Sequence, residues 1–319
     1  MPSPTERHRI ILDCDPGHDD AIAIMLASAH TDLVGVTTVA GNAPLERTTR
    51  NALIVLDLIG RSDVPMHTGA ERPLVAPARH ADHIHGESGL DGAALPDPSR
   101  SPTSADAVGF IIDTCRQAEG IWLVPVGPLT NIALALRAAP DLARRIAGIS
   151  LMGGGRFGNR TAAAEFNIWA DPEAAHIVFG YGGPLTMAGL DLTFQLQATA
   201  DRIEAVRTVG TDLAALFADL LVFFSHSYVS RHEHLRGAPV HDPCAVLALT
   251  HPHLFTSRLA HVEVETAGTV TRGMTLIDDR ALVERPAPNC RVLQTIDGDA
   301  AFELIVEAVR TSSGRPHPG

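Results

Sequence analysis

The 319 residues are 45% hydrophobic and 19% charged, enough apolar material to bury one large α/β core or two smaller ones. A net charge of −12 argues against nucleic acid as a partner, because binding its backbone needs concentrated positive charge. The sequence contains no lysine, which excludes a Walker A phosphate loop, Schiff-base chemistry and pyridoxal chemistry.

The elements follow in βαβα order. Ile10–Leu12 reads as a strand ending in an acidic turn, and 20–29 has helical periodicity. A second strand spans 33–39 and a second helix 45–59. Buried strands are expected at 121–126, 149–152 and 185–190, with helices at 105–117, 131–138 and 172–179 between them. Residues 72–102, rich in Pro, Gly, His and Asp, are too long for an ordinary connection and read as an active-site loop. After Ala198 the chain turns helical, with 213–232 the longest run. Short antiparallel strands are expected within 259–291, a last helix near 302–310 and a frayed tail over 312–319. This order implies a single α/β domain, 1–319, with a mainly parallel open sheet flanked by helices and a small antiparallel C-terminal element.

Cys14, Cys115, Cys244 and Cys290 form no CxxC pair, which fits a reducing compartment and argues against disulfides or zinc. The opening residues, MPSPTERHR, hold no apolar signal core, and no run of eighteen apolar residues stands out. The expectation is a cytoplasmic protein with no membrane partner.

The segment Asp13-Cys14-Asp15-Pro16-Gly17-His18-Asp19-Asp20 packs four carboxylates between a strand and a helix, at the sheet edge where ligands bind. Helix capping accounts for Asp19 or Asp20 but not for all four. Like charges packed this closely need a cation, and oxygen donors without nearby thiols favour Ca²⁺ or Mg²⁺ over zinc. The cluster also suits a phosphotransferase with an Asp nucleophile, although such enzymes usually set a lysine against the phosphoryl group. His241-Asp242-Pro243 and Asp171-Pro172-Glu173 both follow helix-start grammar; His241, a group able to act near neutral pH, sets the first apart. Gly153–Gly158 spells GxGxxG after a strand, but the residues that follow do not open a long helix, which suits a ligand-facing turn better than a dinucleotide fold. Glu165 and Asn167 lie in an otherwise apolar stretch and suit either a surface turn or a hydroxyl-binding site. His83-Ile84-His85-Gly86-Glu87 has metal-like spacing but lies in the long loop, and reads as lid polarity.

Taken together, DCDPGHDDAIAI, Thr37–Asn42, His83–Gly89, Leu123–Asn131, Leu151–Gly155, Ala164–Ile168, Asp171–Val178 and His241–Ala245 resemble the inosine-uridine-preferring nucleoside hydrolase family, in its order and spacing over nearly the whole chain. The resemblance implies hydrolysis of the N-glycosidic bond of purine or pyrimidine ribonucleosides, and a homodimer or homotetramer. It implies Ca²⁺ held by Asp15, Asp20, Asp242 and the Val126 carbonyl, with Asp15 as the base toward a bound water and His241 as the leaving-group acid. Asp19 and Asn167 would bind the 2′-hydroxyl, Asn42 and Asp242 would lie near the 3′-hydroxyl, and Asn159 and Glu165 would hold the 5′-hydroxyl. Met152, Phe166, Tyr228 and His83 would complete the substrate site. Broad-specificity relatives often carry two tyrosines where this chain has Phe224 and Tyr228. The alternatives are an Mg²⁺-dependent Asp-based phosphatase and a non-catalytic ribose-binding protein.

Overall fold

The computed structural model describes residues 7–232, 234–280, 284 and 286–314, without the side chains of Asp82 and His83. Among these residues the strands are β1 (Arg9–Cys14), β2 (Asp32–Thr38), β3 (Met66–Thr68), β4 (Ile121–Pro125), β5 (Gly148–Met152), β6 (Leu185–Ala188), β7 (Gln197–Ala198), β8 (Ala238–Pro239), β9 (Phe255–Ala260), β10 (Val262–Val264), β11 (Thr275–Ile277) and β12 (Cys290–Ile296). Eight of them form one sheet in the order β3-β2-β1-β4-β5-β6-β12-β9, parallel throughout except for β9.

Helices cover both faces, so the central strands are buried on both sides, and β1 beyond Arg9 and the whole of β5 are buried without alternation. From β1 the chain winds outward through β2 and β3, then returns to the other side of β1 with β4. The strand order therefore reverses between β1 and β4, and the crevice beyond their carboxyl ends is where such a sheet binds ligands. The Val126 N–H donates to the Asp13 carbonyl at 2.8 Å and ties the two strand ends together.

The helix His18–His30 is buried from His18 to Ala29 and packs against helices Pro243–Thr250 and Gly298–Ser313. Being enclosed on all sides, it needs no polar face. The helix Asp212–Val229 is 18 residues long and apolar enough to cross a membrane by length and composition. Its buried face, including Leu213, Phe217 and Phe224, packs inside the protein, against helices Ala200–Arg207 and Gly298–Ser313 among others.

Two expectations are corrected. The strand expected over 185–190 stops at Ala188, and Leu190–Thr193 is a short helix. The expected small antiparallel C-terminal element is present as the pair β10 and β11, while β9 and β12 extend the central sheet. The last helix runs to Ser313 with Ser312 buried and the Ser313 hydroxyl bonded to the Val309 carbonyl and to Thr211; the expected tail therefore begins inside the helix, and 315–319 lie outside the described residues. The loop over 72–102 carries one short helix, Asp82–His85.

Candidate active site

The four carboxylates of the first turn have different surroundings. Asp13, still inside β1, points into the sheet, where its Oδ1 accepts from Thr37 Oγ1 at 2.6 Å and Asn131 Nδ2 at 2.7 Å. Burial pushes its pKa up to about 7, and its role is to join β1, β2 and the helix Thr130–Ala138. Asp20 caps its own helix, accepting the Gly17 N–H at 2.9 Å and the Asp15 N–H at 3.1 Å. It also accepts from Asn42 Nδ2 at 3.2 Å. Asp15 Oδ2 accepts the Asn42 N–H at 2.6 Å, while Asp15 Oδ1 is buried with no hydrogen-bond partner.

Asp242 arrives from the far end of the chain. It sits at the cap position of helix Pro243–Thr250 but makes no side-chain cap bond, so helix grammar does not account for its carboxylate. Asp171, with the same sequence grammar, does cap, accepting the Ala174 N–H at 3.1 Å as well as Thr130 Oγ1 and the Leu74 N–H. One oxygen from each of Asp19, Asp20 and Asp242 lies within 4.8 Å of the others, and this trio can hold a metal ion. Asp15 is outside the trio, one turn of backbone earlier.

Burial raises the pKa of Asp15, Asp19, Asp20 and Asp242, and the neighbouring carboxylates push Asp15, Asp19 and Asp242 further up. Asp19 reaches about 8. Crowding four such groups together disfavours their charged forms, and a bound cation would offset this. Their all-oxygen chemistry fits a hard divalent ion, and the orphaned Asp15 Oδ1 adds a donor beside the trio. Gly41 and Gly127 make room for Asp15: a Cβ would stand 2.0 Å from its Oδ2 at Gly41 and 2.3 Å from its Oδ1 at Gly127.

Beyond the trio lies a second polar group. Asn167 Nδ2 donates to the Val126 carbonyl at 2.7 Å and to the Met152 carbonyl at 3.2 Å. Glu165 is 3% exposed and starts the helix Phe166–Ala170, accepting the N–H groups of Asn167, Ile168 and Gly154. Asn159 Oδ1 accepts the Phe166 N–H.

The opposite end is aromatic. Tyr228 OH lies 3.1 Å from His241 Nε2, and Thr193 Oγ1 lies 2.7 Å from His241 Nδ1. Phe224 meets Tyr228 edge to face and stacks with His85, and the His241 N–H donates to Asp19 Oδ2. Burial pushes the His241 pKa down to about 3, so its resting ring is neutral.

The inosine-uridine preferring nucleoside hydrolase model matches residues 10–303. The chain belongs to this family. It is 47% identical over 304 residues to a pyrimidine-specific ribonucleoside hydrolase RihA of Shewanella sp. (strain ANA-3), covering 94% of this chain and 95% of the relative. It is 45% identical over 305 residues to the protein of the same name in Escherichia coli O7:K1, covering 94% and 98%. Among solved structures, a purine-preferring ribonucleoside hydrolase from Gardnerella vaginalis superposes with a TM-score of 0.89 at 34% identity, covering 96% of this chain and 99% of that one.

In this nucleoside hydrolase, one pocket is lined by Asp19, Asn42, Val126, Met152, Asn159, Glu165, Phe166, Asn167, Tyr228, His241 and Asp242. All of these were picked out from sequence; Asp15 and Asp20 are buried beside the pocket rather than among its lining residues. The His83 side chain lies outside the described residues. His85 lines the pocket, together with Ala81, Ile84, Arg160, Phe224 and His232. Of these, sequence reasoning had singled out Phe224, beside Tyr228, and missed the wall-forming role of the others. His85 was visible in HIHGE, but two histidines two apart in a loop carry no periodicity that says which one turns inward.

Proposed function

We propose that this nucleoside hydrolase cleaves the N-glycosidic bond of ribonucleosides with Ca²⁺ bound at its acidic end, and favours pyrimidine bases. The observation that carries the chemistry is the convergence of Asp19, Asp20 and Asp242 beside Asp15, at one end of a pocket whose other end holds His241 and Tyr228. The pyrimidine preference is supported by the relatives at 45–47% identity, which are named pyrimidine-specific.

Asp15, Asp20, Asp242 and the Val126 carbonyl would hold the ion. When bound, such a cation acts as a Lewis acid and lowers the pKa of a water. Asp15 Oδ1, the carboxylate oxygen without a hydrogen-bond partner, takes the proton from the attacking water. Asp19 and Asn167 bind the 2′-hydroxyl, Asn42 and Asp242 the 3′-hydroxyl, and Asn159 and Glu165 the 5′-hydroxyl. Glycosidic cleavage passes through an oxocarbenium-like state, and the carboxylates around the ribose stabilise the positive charge that develops.

The leaving base needs a proton. His241, beside the Tyr228 hydroxyl, supplies it: the ring takes up a proton from solvent to become an imidazolium, passes that proton to the base as the glycosidic bond breaks, and returns to its neutral resting form. Met152 and Phe166 supply apolar walls.

A reducing-sugar assay over uridine, cytidine, inosine, adenosine and guanosine, with and without a chelator, tests this reading. Uridine and cytidine should be cleaved fastest, with activity lost on chelation and regained with Ca²⁺. Sugar release that ignores the chelator would overturn the metal assignment, and faster release from inosine would overturn the base preference.

A further inference from the structure

Three histidines gather at the far end of the helix that begins at the acidic turn. His30 is the last residue of helix His18–His30, His251 follows the last residue of helix Pro243–Thr250, and His253 lies two residues further on. The first helix has 13 residues, so His30 stands about 18 Å along its axis from the carboxylates. The His30 and His251 ring centroids are 5.1 Å apart with their planes at 90°, and those of His251 and His253 are 5.9 Å apart at 64°. Glu307, on helix Gly298–Ser313, acts on the charge of both His30 and His251.

We propose that His30 and His251, completed by His253 and Glu307, form a second metal site, separate from the active-site pocket, for a transition-metal cation such as Zn²⁺. His30 Nε2 is buried with no hydrogen-bond partner among the described residues, an unusual state for a polar atom that an ion would relieve. The Leu304 backbone favours a proton on the ring without closing a hydrogen bond at Nε2. His251 Nδ1 lies 2.9 Å from Thr250 Oγ1, which leaves Nε2 for a ligand; imidazoles that bind metal keep such a contact on their other nitrogen. With zinc–nitrogen bonds of about 2.0 Å and a tetrahedral angle, two ligating rings stand with their centroids about 5 Å apart, which is the His30–His251 spacing. Burial lowers the pKa of His30, and burial followed by the charges of His30 and His253 lowers that of His251, so both rings offer lone pairs at neutral pH. Arg7 also faces His30 and opposes a cation; Glu307 and the negative ends of the two helices offset it. His253 and Glu307 are exposed, and rotation about their side-chain bonds brings them to the ion. Imidazoles with one carboxylate suit zinc, copper or nickel better than calcium, and the site needs no thiol.

Equilibrium dialysis of the untagged full chain against Zn²⁺, with excess Ca²⁺ to occupy the carboxylates of the pocket, tests this. The chain should retain zinc, and X-ray absorption of the bound ion should show imidazole nitrogens at about 2.0 Å. His251→Gln and His30→Gln should each abolish that retention. Thr250→Val, which removes only the hydroxyl beside His251 Nδ1, should weaken it about tenfold, the scale for a partner of a metal-binding histidine. His253→Ala changes an exposed residue, so a weaker zinc affinity there cannot be laid to misfolding. Uridine cleavage in Ca²⁺ should be unchanged in His253→Ala and Thr250→Val, since neither residue touches the pocket. Failure of the unaltered chain to retain zinc would overturn the proposal, as would retention that survives in His251→Gln or an absorption spectrum showing oxygen donors alone. None of these readouts needs turnover, so they judge this site independently of the substrate reading.

Discussion

At the acidic end of the pocket, Asp15, Asp19 and Asp20 leave a single turn, anchored by β1 and by the first residues of a helix buried from His18 to Ala29. At the aromatic end, His85 comes from a long loop, Phe224 and Tyr228 from the helix Asp212–Val229, and His241 from the residue before Asp242. The first region is held by backbone hydrogen bonds at the edge of a parallel sheet, and the second by ring contacts between segments far apart in sequence. Bond-breaking chemistry needs carboxylates placed to a fraction of an ångström, and the sheet edge supplies that rigidity. On the proposed reading, base recognition would rest on a loop and a helix face that can vary without moving the sheet. Relatives named pyrimidine-specific and a structure named purine-preferring accordingly align with one and the same chain.

If the acidic end is the reacting end, perturbing it should cost most. Removing the 2′-hydroxyl would then strip the proposed contacts with both Asp19 and Asn167, and a site built around a hydroxyl rejects the analogue lacking it by about four orders of magnitude. Competing uridine and 2′-deoxyuridine assays should show that ratio, and equal rates would dissolve the distinction between the two ends. Asp15→Asn should lower turnover by about three orders of magnitude, because Asn keeps the shape and loses the basicity. Its melting temperature should be measured alongside, to show that the fold remains; near-normal turnover would remove Asp15 from the chemistry.

The aromatic end should respond selectively. His241→Ala should slow uridine by about two orders of magnitude, within the usual range for a general acid. It should spare p-nitrophenyl riboside, whose leaving group is already stable as an anion. Equal losses on both would make His241 a support for Asp242 instead of part of the proton donor.

The smallest effect concerns stability. The raised carboxylate pKa values mean that the metal-free folded state binds more protons than the unfolded one between 3.8, the ordinary aspartate value, and about 8, the Asp19 value. Stability of chelated protein should therefore fall as pH rises through that window, and Ca²⁺ should flatten the slope. Melting curves across the window, with chelator and with Ca²⁺, give the comparison; a chelated protein that gains stability with rising pH would contradict it.

The sequence by itself determined the α/β class, most strand and helix positions and the acidic turn, because these depend on local periodicity and on spacing within a few residues. It also carried the cap at Asp171, which is satisfied three residues away at Ala174. Tertiary structure decided which carboxylates face the ligand. Asp13 and Asp15 are two apart, yet Asp13 turns into the sheet toward Thr37 and Asn131, while Asp15 passes the end of β1 and reaches Asn42. It also decided that Asp242 joins Asp19 and Asp20 while Asp171 remains a cap, a difference that identical helix-start grammar could not convey. The hydrogen bond from the His241 N–H to Asp19 Oδ2 spans 222 residues. Such a contact exists only once the sheet has brought helix Pro243–Thr250 to the carboxyl ends of β1 and β4, and for the same reason only the folded loop shows His85 lining the pocket.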